Sequence, residues 1–241
     1  MKIAVIPARG GSKRIPRKNV RAFHGRPMLE WPVRAALQTG LFDAVLVSTD
    51  DEEIAEVARA AGAQVPFLRP DALADDFTGV VPVIAHAVTA FEDASGQGVE
   101  LTCAIYATAP FVQAGDIRAG HDALVAAPGQ DYAISVTPFA FPVQRALKRV
   151  ETGSGPGLAP MQPEFIASRS QDLEPAFHDA AHFFWARRAA LAGQAPVFSP
   201  KSIPIEIAPK FVQDIDTPED WARAELMFAA LHPHDGRPAP S

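Results

Sequence analysis

Short apolar runs and helical patterns alternate along the first half of the chain. The runs 2–7 (KIAVIP), 44–49 (AVLVST), 102–108 (TCAIYAT) and 132–137 (YAISVT) have the length and composition of buried strands. Between them, 27–40, 51–62, 80–91 and 114–127 repeat apolar residues at three- and four-residue spacing, as helices with one buried face do. Gly40 and Gly62 stand where two of these helices should end, and Asp50 with Glu53 forms a capping arrangement for the second. Pro32 falls inside the first helical pattern, so that helix starts late or bends there. Such alternation predicts an α/β fold, a mostly parallel sheet flanked by helices with its ligand at the carboxyl ends of the strands.

The rhythm breaks after Val136. Residues 138–179 are irregular and rich in Pro, Gly and Gln, and an uncommitted loop of that length is expected to be functional or to dock on something. QRALKRV and SRSQDL within it suggest an arm with a small strand or helix. The segments 181–193 and 203–231 return to the strand–helix pattern. The chain thus divides into a core at 1–137, an inserted arm at 138–179, completion of the core at 180–231, and a tail at 232–241. The tail has little to bury and is expected to be disordered.

Composition narrows the class. At 241 residues with 48% apolar and 21% charged residues, the chain reads as one large soluble domain, or one domain with an elaboration. Its net charge of −6 argues against a nucleic-acid or anionic-membrane partner. The single cysteine, Cys103, lies in an apolar run and reads as a buried, inert thiol. No stretch approaches the ~20 apolar residues of a membrane span, and no signal peptide is recognised, so a cytoplasmic protein is expected.

One segment departs from the acidic balance. Met1 to Leu29 holds no Asp or Glu, yet Arg9, Lys13, Arg14, Arg17, Lys18, Arg21 and Arg26 fall there, most of them in ARGGSKRIPRKN. Such charges can simply be solvated. Strand, glycine pair, basic residues and helix in that order point instead to an anion cradle: Gly10 and Gly11 let N–H groups turn inward, and a following helix adds its N-terminal dipole. At ~4 Å and an effective dielectric near 20, each cation attracts a phosphate charge by ~4 kcal/mol before desolvation. Lys13 follows Ser12, so this is no Walker A loop, and the dinucleotide spacing is absent.

QDIDT, far downstream, supplies carboxylates. Asp214 and Asp216 are two residues apart and share a face if the segment is extended, which suits Mg²⁺. Equally, Asp216 or Thr217 caps the helix opened by Pro218, with Asp220 in its first turn. The two roles are compatible.

IPARGGSKRIPRKN resembles the N-terminal signature of the CMP-sialic acid synthetase family of sugar-activating cytidylyltransferases. FDAVLVSTDDEEIAEVARAAGA, PFLRP, the TAP of YATAP and QDIDTPEDW extend the resemblance over almost the whole chain. STDDEEIAEVA, IYATAPF, SRSQDLEPAFHDAAHFFWA and IPIE resemble the pseudaminic acid branch. The resemblance implies a Rossmann-like fold with a dimerisation arm, and the reaction of CTP with a nine-carbon 2-keto acid sugar to give CMP-sugar and pyrophosphate. It implies Arg9, Lys18 and Asp216 as catalytic residues, with Asp214 and Asp216 holding Mg²⁺. It implies a nucleotide site of Ala8, Arg9, Gly10, Gly11, Ser12, Lys18, Asn19, Arg69 and Thr108. Lys13, Arg14 and Arg17 either join the site or point to water.

Two departures bear on the sugar. Tyr106 stands where sialic acid enzymes carry a ligand-binding glutamine, and FHDAA (177–181) replaces an Arg-Pro-Asn-Gly type turn. Tyr106, His178 and Asp179 are therefore candidate sugar contacts, with Arg169 for the sugar carboxylate and Gln171 beside it. As an expectation, the arm crosses to a second subunit of a homodimer and carries Arg169 to its sugar site. His86, His121, His232 and His234 lack any constellation, and Trp31, Trp185 and Trp221 read as core. Competing readings are the same reaction on legionaminic or N-acetylneuraminic acid, a non-catalytic nucleotide-binding homologue, and a nucleic-acid binder. The retained Arg9, Lys18, Asp214 and Asp216 count against the second, and the acidic balance against the third.

Overall fold

The computed structural model describes residues 1–75 and 78–232. Its centre is a six-stranded sheet of β1 (Lys2–Pro7), β4 (Ala44–Ser48), β5 (Leu101–Ile105), β6 (Tyr132–Pro138), β9 (Phe177–Arg187) and β10 (Ser202–Glu206), in the order β10-β6-β9-β5-β1-β4. β1 pairs in parallel with β4 and β5, and β10 with β6. Every residue of β4 and β5 is buried, which is why these strands read as continuous apolar runs rather than alternating ones. Helices α1 (Glu30–Thr39), α2 (Glu52–Ala60) and α4 (Ala114–Ala126) pack on one face through Val33, Ile54 and Ile117. α3 (Val80–Ser95) and α5 (Arg188–Ala192) cover the other through Ile84, Val88 and Leu191. No helix among the described residues is long and apolar enough to cross a membrane.

The mainly parallel sheet agrees with the sequence pattern, with one exception at its centre. β9 runs antiparallel to both β5 and β6, because the chain re-enters from the inserted segment without a helical crossover. Residues 138–179 contain the antiparallel hairpin β7 (Leu147–Thr152) and β8 (Gly155–Pro160), with one 3₁₀ turn before it and two after it. The segment end drawn at 179 falls inside β9, since His178 and Asp179 already pair with Thr137 and Val136. Between β1 and α1 lies a small hairpin of β2 (Ala22–Phe23) and β3 (Arg26–Pro27) that the pattern did not suggest. Its two-residue turn, His24-Gly25, has φ of 46° and 79°, the left-handed pair of a type I′ turn.

Helix ends follow local chemistry. α1 begins at Glu30, later than the pattern at 27, leaving Pro32 in the first turn, and stops at Gly40 in the left-handed region (φ 64°). α2 is capped by Asp51, whose carboxylate accepts from Ile54 N, and not by Asp50 as the spacing suggested; Asp50 is turned toward Gly10. α6 (Pro218–Leu231) starts with a capping box in which Thr217 and Asp220 bond reciprocally. α6 packs Trp221, Ala224 and Phe228 against Ile15, Phe23, Met28 and Phe111, and so clamps the basic loop to the body of the fold. Of the tail 232–241, only His232 lies within the described residues.

Candidate active site

The basic loop leaves the sheet at Ala8, a buried residue whose N–H donates to Ser48 O at 2.9 Å. Gly10 N–H then donates to Asp50 Oδ1 at 2.9 Å. A Cβ on Gly10 would lie 2.7 Å from Asp51 Oδ2, so only glycine lets the loop approach the N-terminus of α2 this closely. Gly11 faces open space. Ile15 is buried beneath α6. Arg17, in the left-handed region (φ 55°), donates to Asp51 at 2.6 Å and to Glu53, and this holds the Asp51 carboxyl below its ordinary value.

A cavity of about 480 Å³ opens beside this loop at the carboxyl ends of β1 and β5. The loop contributes Arg9, Ser12, Lys13, Arg14, Lys18 and Asn19 to its wall, the exit of β5 contributes Tyr106, Ala107 and Thr108, and the segment before α6 contributes Asp216. Among the described residues that line it, four are cationic and one is a carboxylate, a balance that suits a polyanion. Arg9 Nη1 donates to Asp75 O at 2.8 Å. Lys18 Nζ donates to Ile215 O at 2.5 Å and stands 3.5 Å from Asp216 Oδ1. Asn19, almost fully buried, donates from Nδ2 to Arg9 O at 2.9 Å and accepts from Leu29 N, so it braces the loop. The hairpin separates the loop from α1, and no α1 residue lines the cavity; the expected helix dipole is therefore not part of it.

Carboxylates gather at the rear of the site. Burial raises the Asp214 carboxyl, and so does the charge of Asp216; Lys18 opposes and nearby Asp179 adds to the rise. Burial likewise raises Asp179, whose Oδ1 accepts from Ala181 N at 2.7 Å. Tyr106 O–H donates to Asp179 Oδ2 at 3.5 Å, and burial first, then Asp179, pushes the phenol well above its ordinary value, so it keeps its proton. No cluster of three or more His, Cys, Asp or Glu side chains forms a metal cage among the described residues. Asp214 and Asp216 offer hard oxygens that fit Mg²⁺ when water and phosphate oxygens complete its shell.

Other sequence-singled residues lie elsewhere. Arg69 is buried behind the loop instead of in the cavity wall: its Nε donates to Ser48 Oγ at 3.2 Å and its Nη2 to Ser48 O, bracing the end of β4. Burial lowers its pKa, with Asp50 opposing. Arg169 is exposed and pairs with Asp172 at 2.7 Å, and Gln171 beside it is exposed; neither lines the cavity of this chain. His178, also exposed, stands against Phe139 with ring centroids 4.9 Å apart. The sequence reading missed Asp50 as the partner of Gly10 and Arg14 as a partner of Asp216, whose Oδ2 lies 2.9 Å from the guanidinium. Two adjacent aspartates after a strand were the available signal for the first.

A cytidylyltransferase family model matches residues 3–146. The chain is 34% identical over 230 residues to a pseudaminic acid cytidylyltransferase of Campylobacter jejuni, covering 95% of this chain and 97% of the relative. It is 31% identical to a CMP-N,N'-diacetyllegionaminic acid synthase of Legionella pneumophila, covering 94% and 95%. A solved CMP:2-keto-3-deoxy-manno-octonic acid synthetase, complexed with CTP, superposes with a TM-score of 0.68 at 18% identity, over 95% of this chain and 99% of that one, and so shares the fold. The chain belongs to the cytidylyltransferase family and is a nucleotidyltransferase.

Proposed function

We propose that the protein activates a nonulosonic acid, pseudaminic acid, by transferring the cytidylyl group of CTP to its C2 hydroxyl. The observation that carries this reading is the convergence of Arg9, Lys13, Arg14 and Lys18 with Asp216 on one cavity at the carboxyl ends of the strands. The C2 oxygen attacks the α-phosphorus, and a C2–O–P bond forms. The bond from Pα to the bridging oxygen breaks with its electrons leaving on pyrophosphate, and the hydroxyl proton passes to solvent.

Arg9 and Lys18 offset charge on the α-phosphate and the leaving pyrophosphate, the positioning and electrostatic work on which phosphoryl transfer depends. Backbone from Ala8 to Ser12 cradles the triphosphate, Asn19 keeps Arg9 in place, and Thr108 borders the nucleotide. Asp214 and Asp216 would hold Mg²⁺, which when bound neutralises triphosphate charge and makes the sugar hydroxyl more acidic. Tyr106, a retained donor, and Asp179 face the sugar, with His178 at the edge. Exposed Phe141, Leu158 and Met161 on the inserted segment support its docking on a second copy, where Arg169 and Gln171 reach the sugar carboxylate. We place the reaction in the cytoplasm, where CTP is held.

The test is pyrophosphate release with CTP and Mg²⁺ over a panel of pseudaminic, legionaminic, N-acetylneuraminic and Kdo acids. Pseudaminic acid should give the highest kcat/KM; a higher value for another sugar overturns the substrate, and release with none overturns the activity. Asp216→Ala should abolish turnover without lowering the melting temperature. Light scattering should give a dimer, and a fully active monomer removes the role of the arm.

A further inference from the structure

Asp216 is held by two cations of different character. Lys18 is anchored: its side chain is mostly buried and its Nζ also donates to Ile215 O at 2.5 Å. Arg14 is not. Its guanidinium side chain is 64% exposed, and Asp216 Oδ2, at 2.9 Å, is its one carboxylate among the described residues. An exposed ion pair of this kind adds little to stability, because both charges are well solvated when apart. Arg17, three residues on, shows the contrast, being fixed to α2 by both Asp51 and Glu53. Arg14 therefore has the charge, reach and freedom to change partner, and it lines the same cavity as Arg9, Lys13 and Lys18.

We propose that Arg14 is an exchangeable counter-ion that couples metal binding to CTP binding. In the ligand-free chain its guanidinium occupies Asp216 Oδ2, an oxygen that a divalent cation would use. When CTP enters, the planar fork passes to triphosphate oxygens, which match it as well as a carboxylate does, and Asp216 is released to the metal. A metal entering alone must displace Arg14 to solvent, whereas a metal entering with CTP does not. Each ligand then strengthens the other, and the coupling is reciprocal. The proposal rests on the reading of Asp216 as a metal ligand and adds to it a positioning residue that the loop signature leaves open.

The experiment measures Mn²⁺ binding to the full chain by the electron paramagnetic resonance of free Mn²⁺, with and without CTP and without sugar. Arg14→Ala should bind Mn²⁺ about two- to fivefold more tightly than the wild type in the absence of nucleotide, the range an exposed ion pair can supply, and metal-free CTP a few-fold more weakly. The gain in Mn²⁺ affinity that CTP confers should shrink accordingly. Arg14→Lys, which keeps the charge but not the fork, should fall between the two. Unchanged or weaker Mn²⁺ binding by ligand-free Arg14→Ala overturns the exchange. Asp216→Asn separates the two readings: if it binds Mn²⁺ as the wild type does, the metal reading fails and the exchange with it. If Asp216→Asn loses Mn²⁺ while Arg14→Ala is unchanged, only the exchange fails.

Discussion

Gly10 and Gly11 are adjacent, yet the structure asks different things of them. A methyl on Gly10 would meet Asp51 Oδ2 at 2.7 Å and Asp51 Cβ at 3.0 Å, while one on Gly11 meets nothing within 4 Å. Asp51 cannot easily yield, because it caps α2 and holds Arg17 at 2.6 Å. Gly10→Ala must therefore move the loop or break the cap, at a cost of about 1–2 kcal/mol, the usual worth of a lost cap. It should lower the melting temperature and raise KM for CTP several-fold, whereas Gly11→Ala should leave the melting temperature unchanged. Equal melting temperatures for the two variants would refute the close approach. The same residues show what a single sequence conceals. Asp50 and Asp51 are chemically identical in a one-dimensional pattern; which one caps and which one turns to Gly10 is decided by a loop some forty positions away. Arg69 is a similar case: the resemblance placed it at the nucleotide, and only the structure shows it buried against Ser48 at the end of β4.

Among the elements, α6 links the fold to the chemistry. Its start was legible in part: Asp216 or Thr217 was expected to cap the helix opened by Pro218, and the structure makes Thr217 the cap, in a capping box with Asp220. Its partner was not legible, because the contact joins Phe228 to Phe23 and Phe111, with ring centroids 5.3 and 5.8 Å apart, across segments distant in sequence. The strands show the same division. β1, β4, β5 and β6 declare themselves as apolar runs because both faces of the sheet are covered, but nothing in AHFFWAR says that β9 runs against its neighbours. That direction follows from the path of the inserted segment. Removing the Phe228 ring should cost about 3–5 kcal/mol, as large core truncations do. Ile15 and Ile215 share its cluster, and Ile215 O holds Lys18, so the loss should also loosen the loop. Phe228→Ala, assayed well below its melting point, should raise KM for CTP more than it lowers kcat. An unchanged KM would show that α6 supports the fold without setting the loop.

For the molecule as a whole, stability against pH sums opposed groups. His182 lies buried in β9, its carbonyl accepting from Tyr106 N at 2.9 Å and its N–H reaching Ser135 Oγ at 3.4 Å. Burial pushes its imidazole down from 6.5 to about 4. Between those values the unfolded chain takes up a proton that the folded chain refuses, so stability falls as pH drops from about 6.5 toward 4 and this contribution then levels off. The full difference is on the order of 3 kcal/mol. Asp51 and Glu92, both lowered chiefly by hydrogen bonds from arginines, lose their stabilising contribution only at more acidic pH, below the ordinary carboxylate value. Asp179 and Asp214, raised by burial, act in the opposite sense and recover stability as they protonate, which partly offsets His182. The slope from pH 6.5 down to about 5 is thus assigned to His182. His182→Gln, uncharged throughout and of similar length, should flatten the melting temperature across that range while leaving it pH-dependent below 4. A variant whose melting curve kept the wild-type slope between pH 6.5 and 5 would refute the assignment of that slope to His182.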